Sequence, residues 1–116
     1  MRRLKNHLIG VDQGSATLFS DFENSGTMWT GSGQRECRKQ VNYKEKFKSV
    51  PVVHLSLSMW DQHSESNQRG ELNTQNVSES GFDIVFTTWG DTKIARARAS
   101  WLAIGELTDD DEWNID

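Results

Sequence analysis

Apolar and polar residues alternate with a period of two after Pro51. Val53, Leu55, Leu57 and Met59 fall on one side, and His54, Ser56, Ser58 and Trp60 on the other. Such alternation predicts a half-buried strand. The run FDIVFTTW over 82–89 follows Gly81 and is apolar or β-branched on both faces, as a central strand is. In IARARASWLAI, 94–104, the small and apolar set Ala95, Ala97, Ala99 and Trp101 shares one face, which makes Trp101 a core residue. Ile94, Arg96, Arg98 and Ser100 share the other. Its alanines suit a helix by propensity, but the Thr and Ile flanks and the neighbouring strands favour a strand. RECRKQVNYKEKF, 35–47, reads as a further strand with Cys37, Val41 and Tyr43 inward. Turn signals recur at 31–33 (GSG), 61–70 (polar throughout), 78–81 (SESG) and 90–92 (GDT). Strands at this spacing, without helices or repeats, predict an antiparallel β-sandwich.

Composition sharpens the picture. The chain has 116 residues, one domain's worth, and only 34% are hydrophobic. Mean hydropathy is -0.71. A core this lean predicts a thin sandwich or an oligomer that buries further surface. Five Trp and five Phe partly offset the shortage, because each ring buries a large area. Thirteen basic against seventeen acidic residues give a net charge of -4, which argues against nucleic acid as a partner. No apolar run is long enough for a membrane span. The start, MRRLKNHLIGVDQG, has a basic beginning but an apolar part of only Leu8–Val11, so no cleaved signal is read.

Little in the chain suggests catalysis or metal. Cys37 is the single cysteine, so no intrachain disulfide forms; it reads as a small buried apolar residue. His7, His54 and His63 share no ligand spacing with one another or with Cys37, so no metal or cofactor is expected. The end, LTDDDEWNID, lacks the alternating spacing of a calcium loop and reads as a solvated acidic tail. Asn76-Val77-Ser78 is a glycosylation sequon by pattern. No serine sits in a G-x-S-x-G elbow, and a non-enzyme is expected.

Several segments carry a resemblance: VPVVHLSLSMWD (50–61), NVSESGF (76–82), TWGDTK (88–93), ASWLAIG (99–105) and the F-x-x-x-P-V-V spacing from Phe47 to Val53. In this order, in register over residues 34–105, they resemble the H-type lectin domain family. The resemblance implies a six-stranded antiparallel β-sandwich that assembles as a trimer, sometimes stacked into a hexamer. Residues 1–30 would add an edge strand, 31–105 the core and 106–116 the acidic tail. It implies glycan partners of the galactose or N-acetylgalactosamine type, bound at clefts between protomers, and recognition outside the cell or at its surface. The family's sugar-contacting arginine falls on Arg69 and its tryptophan on Trp89. A guanidinium offers several donors to vicinal hydroxyls, and an indole offers an apolar face to sugar C–H groups. The family's aspartate falls on Ser32, its histidine on Gly90 and its tyrosine on Ala95. Asp91 stands ready to supply a carboxylate from another direction.

Each of these residues also has a plainer reading. Trp89 reads equally as a core or interface aromatic, Arg69 as a solvated loop residue and Asp91 as a turn residue. Arg96 and Arg98 are assigned to the oligomer interface, with Glu36 or Glu71 as carboxylate partners. The alternative function is a trimeric structural or adhesion module of a spike, fibre or phage-like appendage that uses the fold without sugar.

Overall fold

The computed structural model describes residues 1–5 and 7–108. Most of the expected acidic tail, 109–116, lies outside the described residues. Six strands form two three-stranded sheets, and every pairing is antiparallel. One sheet has the order β1 (Ile9–Phe19), β6 (Ile94–Glu106), β3 (Val52–Gln62). The other has the order β2 (Arg35–Asn42), β5 (Gly81–Thr88), β4 (Glu71–Gln75). Two one-turn helices, α1 (Asp21–Asn24) and α2 (Thr27–Thr30), join β1 to β2. The expectation of strands alone is corrected there, since Gly26, Thr27 and Thr30 close a short local turn that alternation cannot reveal.

The core lies between the two central strands, and large residues face small ones. Phe82, Ile84 and Phe86 of β5 are 2%, 0% and 0% exposed; Ala97, Ala99 and Ala103 of β6 are all 0% exposed. Phe19, Ala97 and Trp60 form one cross-strand row. The ring of Phe86 packs against both flanking aromatics, with centroids 5.7 Å from Phe19 and 5.6 Å from Trp60. Alanine in the middle of that row leaves room for the ring. The tertiary demand for small residues therefore overrides their helix propensity. Trp101 is partly buried; its ring meets Phe82 at 5.6 Å and Tyr43 at 6.1 Å and lies against Gly14.

Two face assignments are corrected by bulges. On β3, Leu57 pairs with Ala99 but Met59 pairs with Arg98, so Ser58 is an extra residue. The alternation inverts there: Val53 and Leu55 pack on the core, Leu57 is 38% exposed, and Trp60 turns inward. On β6, Arg96 pairs with Asp61 and Ile94 with Gln62, so Ala95 is extra. Ile94 thereby enters the core at 0% exposure, not the face shared with Arg96. Each bulge shifts the period by one, and side chains beyond it change sides.

Candidate functional site

The candidate residues are built up from two buried threonines. Thr88 and Thr92, both 0% exposed, bracket the Trp89-Gly90-Asp91 turn between β5 and β6. The Thr88 hydroxyl donates to the Arg69 carbonyl at 2.5 Å. That of Thr92 donates to the Asn67 carbonyl at 2.6 Å and accepts the Arg69 amide at 3.2 Å. Each hydroxyl satisfies loop backbone that would otherwise go unpaired, and together they fix the 67–69 loop against the turn. Gly70 follows, where a Cβ would stand 2.8 Å from the Trp60 ring, so the loop rests directly on the aromatic core.

On this base Arg69 donates from Nη1 to Asp91 at 3.0 Å, and Asn67 donates to the same oxygen from its side chain at 3.1 Å. The Asn67 side-chain hydrogen bond, then hydrogen bonds from the Asn67 and Asp91 backbone amides, and last the Arg69 charge, hold the Asp91 carboxyl below the usual aspartate range. A depressed acid keeps its ordered contacts above the unfolded-state pKa and loses them as pH falls through the folded value. Asn67→Ala should therefore move the Asp91 midpoint upward in a carboxyl NMR titration; an unchanged midpoint would remove Asn67 as the cause. Gly90 has φ +69°, and a Cβ there would lie 3.1 Å from Arg69 Nη1. Its carbonyl accepts the Gly33 amide at 2.9 Å, which draws the Ser32 loop alongside. Trp89 is 41% exposed beside this corner.

A single chain thus brings Arg69, Gly90 and Asp91 into contact; exposed Trp89 precedes Gly90, and exposed Ser32 precedes Gly33, which bonds the Gly90 carbonyl. Ala95 is elsewhere. It lines a separate cavity of about 280 Å³ with Phe22, Glu23, Asp61 and Arg96. Arg96 donates to Asp61 of its own chain at 3.0 Å, not to Glu36 or Glu71. Glu36 lies 3.9 Å from Arg38, and Glu71 accepts from Asn73. Arg98 is exposed on the outer face between Thr17 and Met59. Among the described residues no three His, Cys, Asp or Glu side chains gather as metal ligands.

Residues that alternation and motif did not single out also build the corner. Asn67, Thr88 and Thr92 are three. Arg35 is the fourth: it is 8% exposed, and its guanidinium donates only to backbone carbonyls. Nε reaches Gly33 at 2.9 Å; Nη1 reaches Thr27, Met28 and Gly31 at 3.2–3.3 Å; Nη2 reaches Gly90 at 3.2 Å. The threonines flanking a Trp-Gly-Asp turn were the one available signal, since β-branched hydroxyl residues at both ends of a turn can bond a neighbouring loop.

Two antiparallel three-stranded sheets, with the Arg69–Asp91 pair and the exposed Trp89 indole at one end, define a β-sandwich domain. Residues 38–104 match the model of the H-type lectin domain, and the chain belongs to that family, a carbohydrate-binding lectin kind. It is 52% identical over 108 residues to the protein called ATP synthase subunits region ORF 7 of Fuscovulum blasticum, covering 93% of this chain and 94% of that one. It is 30% identical over 95 residues to Discoidin-2 of Dictyostelium discoideum, covering 81% of this chain but 35% of that one. Among solved structures, recombinant discoidin II of Dictyostelium discoideum superposes with a TM-score of 0.74 at 23% identity, over 94% of this chain and 41% of that one. The tailspike protein gp49 from Pseudomonas phage LKA1 superposes with a TM-score of 0.54 at 12% identity, over 86% of this chain and 15% of that one. These two likenesses concern the fold alone.

Proposed function

We propose that this chain is a multivalent lectin for galactose- or N-acetylgalactosamine-type sugars, bound at the corner of Arg69, Trp89, Gly90, Asp91 and Ser32. The observation that carries this reading is the Arg69–Asp91 pair, held at 3.0 Å beside an indole that is 41% exposed. The guanidinium supplies donors to sugar oxygens and the carboxylate accepts from sugar hydroxyls. The indole covers the ring's C–H face. Gly90 and Ala95 offer no side-chain contact where the family has histidine and tyrosine, so each single site is weak.

Oligomerisation offsets that weakness. Three sites on one particle raise avidity on a dense sugar surface by about 10²–10⁴-fold. The exterior face of β6, with Arg96 and Arg98, is the proposed contact between three copies. Ala95 lines a cavity separate from the corner, which supports a cleft completed by that cavity in a neighbouring copy. A glycan array combined with light scattering tests the reading. The unaltered protein should bind clustered galactose-type glycans as a trimer or hexamer. Arg69→Ala and Trp89→Ala should each lose binding at least tenfold without losing assembly, whereas Arg96→Glu should dissociate it. Retained binding by both of the first two variants moves the site elsewhere, and a concentration-independent monomer mass removes the trimer. An unaltered protein that binds no glycan favours the structural module.

A further inference from the structure

The two sheets turn very different faces outward. On the outer face of β2–β5–β4, the cross-strand rows Glu36–Thr87–Glu71 and Gln40–Asp83–Gln75 flank Arg38. Arg38 donates to Asp83 at 3.2 Å and to Gln75 at 2.9 Å, and Asn76 donates to the same Asp83 oxygen at 2.9 Å. Val85, the register partner of Arg38, is only 3% exposed in the middle of this face. Its charges and hydrogen bonds are satisfied within one chain, which suits a face turned to water.

The outer face of β1–β6–β3 is the reverse. It begins with the rows Val11–Ile104–Val52 and Gln13–Leu102–His54. The row Ser15–Ser100–Ser56 follows. None of these three rows holds an Asp, Glu, Lys or Arg. Val11 is 65% and Val52 47% exposed, with Ile9 beside them at 38%. An aliphatic row open to water is unfavourable for a free chain. On a sheet face without charge it has the composition of a contact core between identical chains, from which charged residues are depleted.

The area decides between the two ends of this face. Strands β1 and β3 have 11 residues each, so the face is ~36 Å long, and three strands make it ~14 Å wide. Used along its whole length it gives ~500 Å² per copy and ~1,000 Å² for a pair, the least that a specific interface needs. The end that carries Arg96 and Arg98 supplies only part of that, and Arg96 already bonds Asp61 of its own chain at 3.0 Å.

We propose that copies of this chain meet through the uncharged stretch of this face, with the Val11–Ile104–Val52 row as its apolar anchor and Arg98 at its rim. The inference rests on the oligomeric reading above and moves the strength of that contact from ion pairs to the aliphatic row. Ile104 lies ~20 Å along β6 from Arg98, so the two ends can be altered separately.

Light scattering over a concentration series tests this. The unaltered protein should give an oligomer mass. Val11→Lys/Val52→Lys places two charges at positions that are exposed in a single chain, and should give a monomer mass at the same concentrations. Ser56→Glu, two rows along, should raise the dissociation constant of the assembly at least tenfold; should the paired lysines prevent folding, this variant decides alone. Gln40→Lys/Asn73→Lys puts the same added charge on the other sheet and should leave the oligomer mass unchanged. An oligomer that survives the charges at Val11, Val52 and Ser56 but dissociates in Arg96→Glu overturns this inference and leaves the ion-pair contact standing. A monomer mass for the unaltered protein at every concentration overturns both. Glycan arrays on the same samples read the corner independently. Assembly that is lost in Val11→Lys/Val52→Lys, in a protein that binds no glycan to begin with, supports this contact while removing the lectin reading.

Discussion

Phe86→Ala should lower stability by ~3–5 kcal/mol, the cost of deleting a fully buried aromatic and leaving a cavity behind. The ring is 0% exposed and is the one side chain of β5 that touches aromatics at both edges of the opposite sheet, Phe19 and Trp60. Its row partner across the interior is Ala97, and neither alanine nor the fixed backbone can move in to fill the space. A domain of this size has only ~5–15 kcal/mol in total, so the loss is a large part of it. Denaturant melts of Phe86→Ala and Glu36→Ala side by side give the test. The second variant removes an exposed ion pair with Arg38, worth about 0–1 kcal/mol. Equal midpoints would mean that the two sheets do not pack through Phe86. The corner would also respond, because Gly70 lies against both Trp60 and Phe86. Phe86→Ala should therefore loosen the Arg69 loop as well as the core.

The same row explains how far the fold could be read from the sequence. Central strand β5 is apolar on both faces, and β6 keeps its alanines inward over Ala97–Ala103, so both were legible. The reading failed where a bulge changed the count. Trp60 and Ile94 each lie just beyond an extra residue, Ser58 and Ala95, and both changed sides. A two-residue period carries no mark of such an insertion, because its cause is the tertiary need to place Trp60 beside Phe86. Strand β1 was faint for another reason. Its inner positions are Gly10, Asp12, Gly14 and Ala16, small because Leu107 and Trp101 occupy the space above Gly10 and Gly14. Strand β4, ELNTQ, has only Leu72 and Thr74 half-buried. At the corner, resemblance pointed to Arg69 and Trp89, and the adjacency of Asp91 in the chain suggested the carboxylate. Asn67, Thr88 and Thr92 act through hydrogen bonds across a loop closure, which no local pattern encodes.

Arg35 is the clearest case of that kind and leads to the second large effect. In sequence it is one more charged strand residue; in the fold it is a buried cation with no carboxylate. Its guanidinium reaches five carbonyls: those of Thr27, Met28 and Gly31 share the two hydrogens of Nη1, that of Gly33 accepts from Nε and that of Gly90 from Nη2. Three of these belong to α2 and the residue after it; Thr27 also accepts the Gly31 amide, whereas no helix continues to bond the carbonyls of Met28 and Gly31. The guanidinium thus replaces the missing turn and ties it to the Gly90 carbonyl across the corner. Hydrogen bonds to a charged group contribute ~1.5–3 kcal/mol each, though bonds in one network do not add; Arg35→Ala should therefore cost ~2–4 kcal/mol, not the sum of five. Arg35→Lys should fare nearly as badly, because an ammonium has three donors on a single point and cannot span a fork of carbonyls. Hydrogen exchange separates this role from general loosening. The Gly33 amide, bonded to the Gly90 carbonyl at 2.9 Å, should lose protection in both variants under conditions where the Ile84 amide keeps its own. The glycan binding proposed for the corner should fall with Gly33 protection, since Ser32 is held beside Gly90 by this contact and by the Arg35 guanidinium, which bonds the Gly33 and Gly90 carbonyls. If Gly33 and Ile84 lose protection together, Arg35 supports the whole sandwich and the corner has some other fastening.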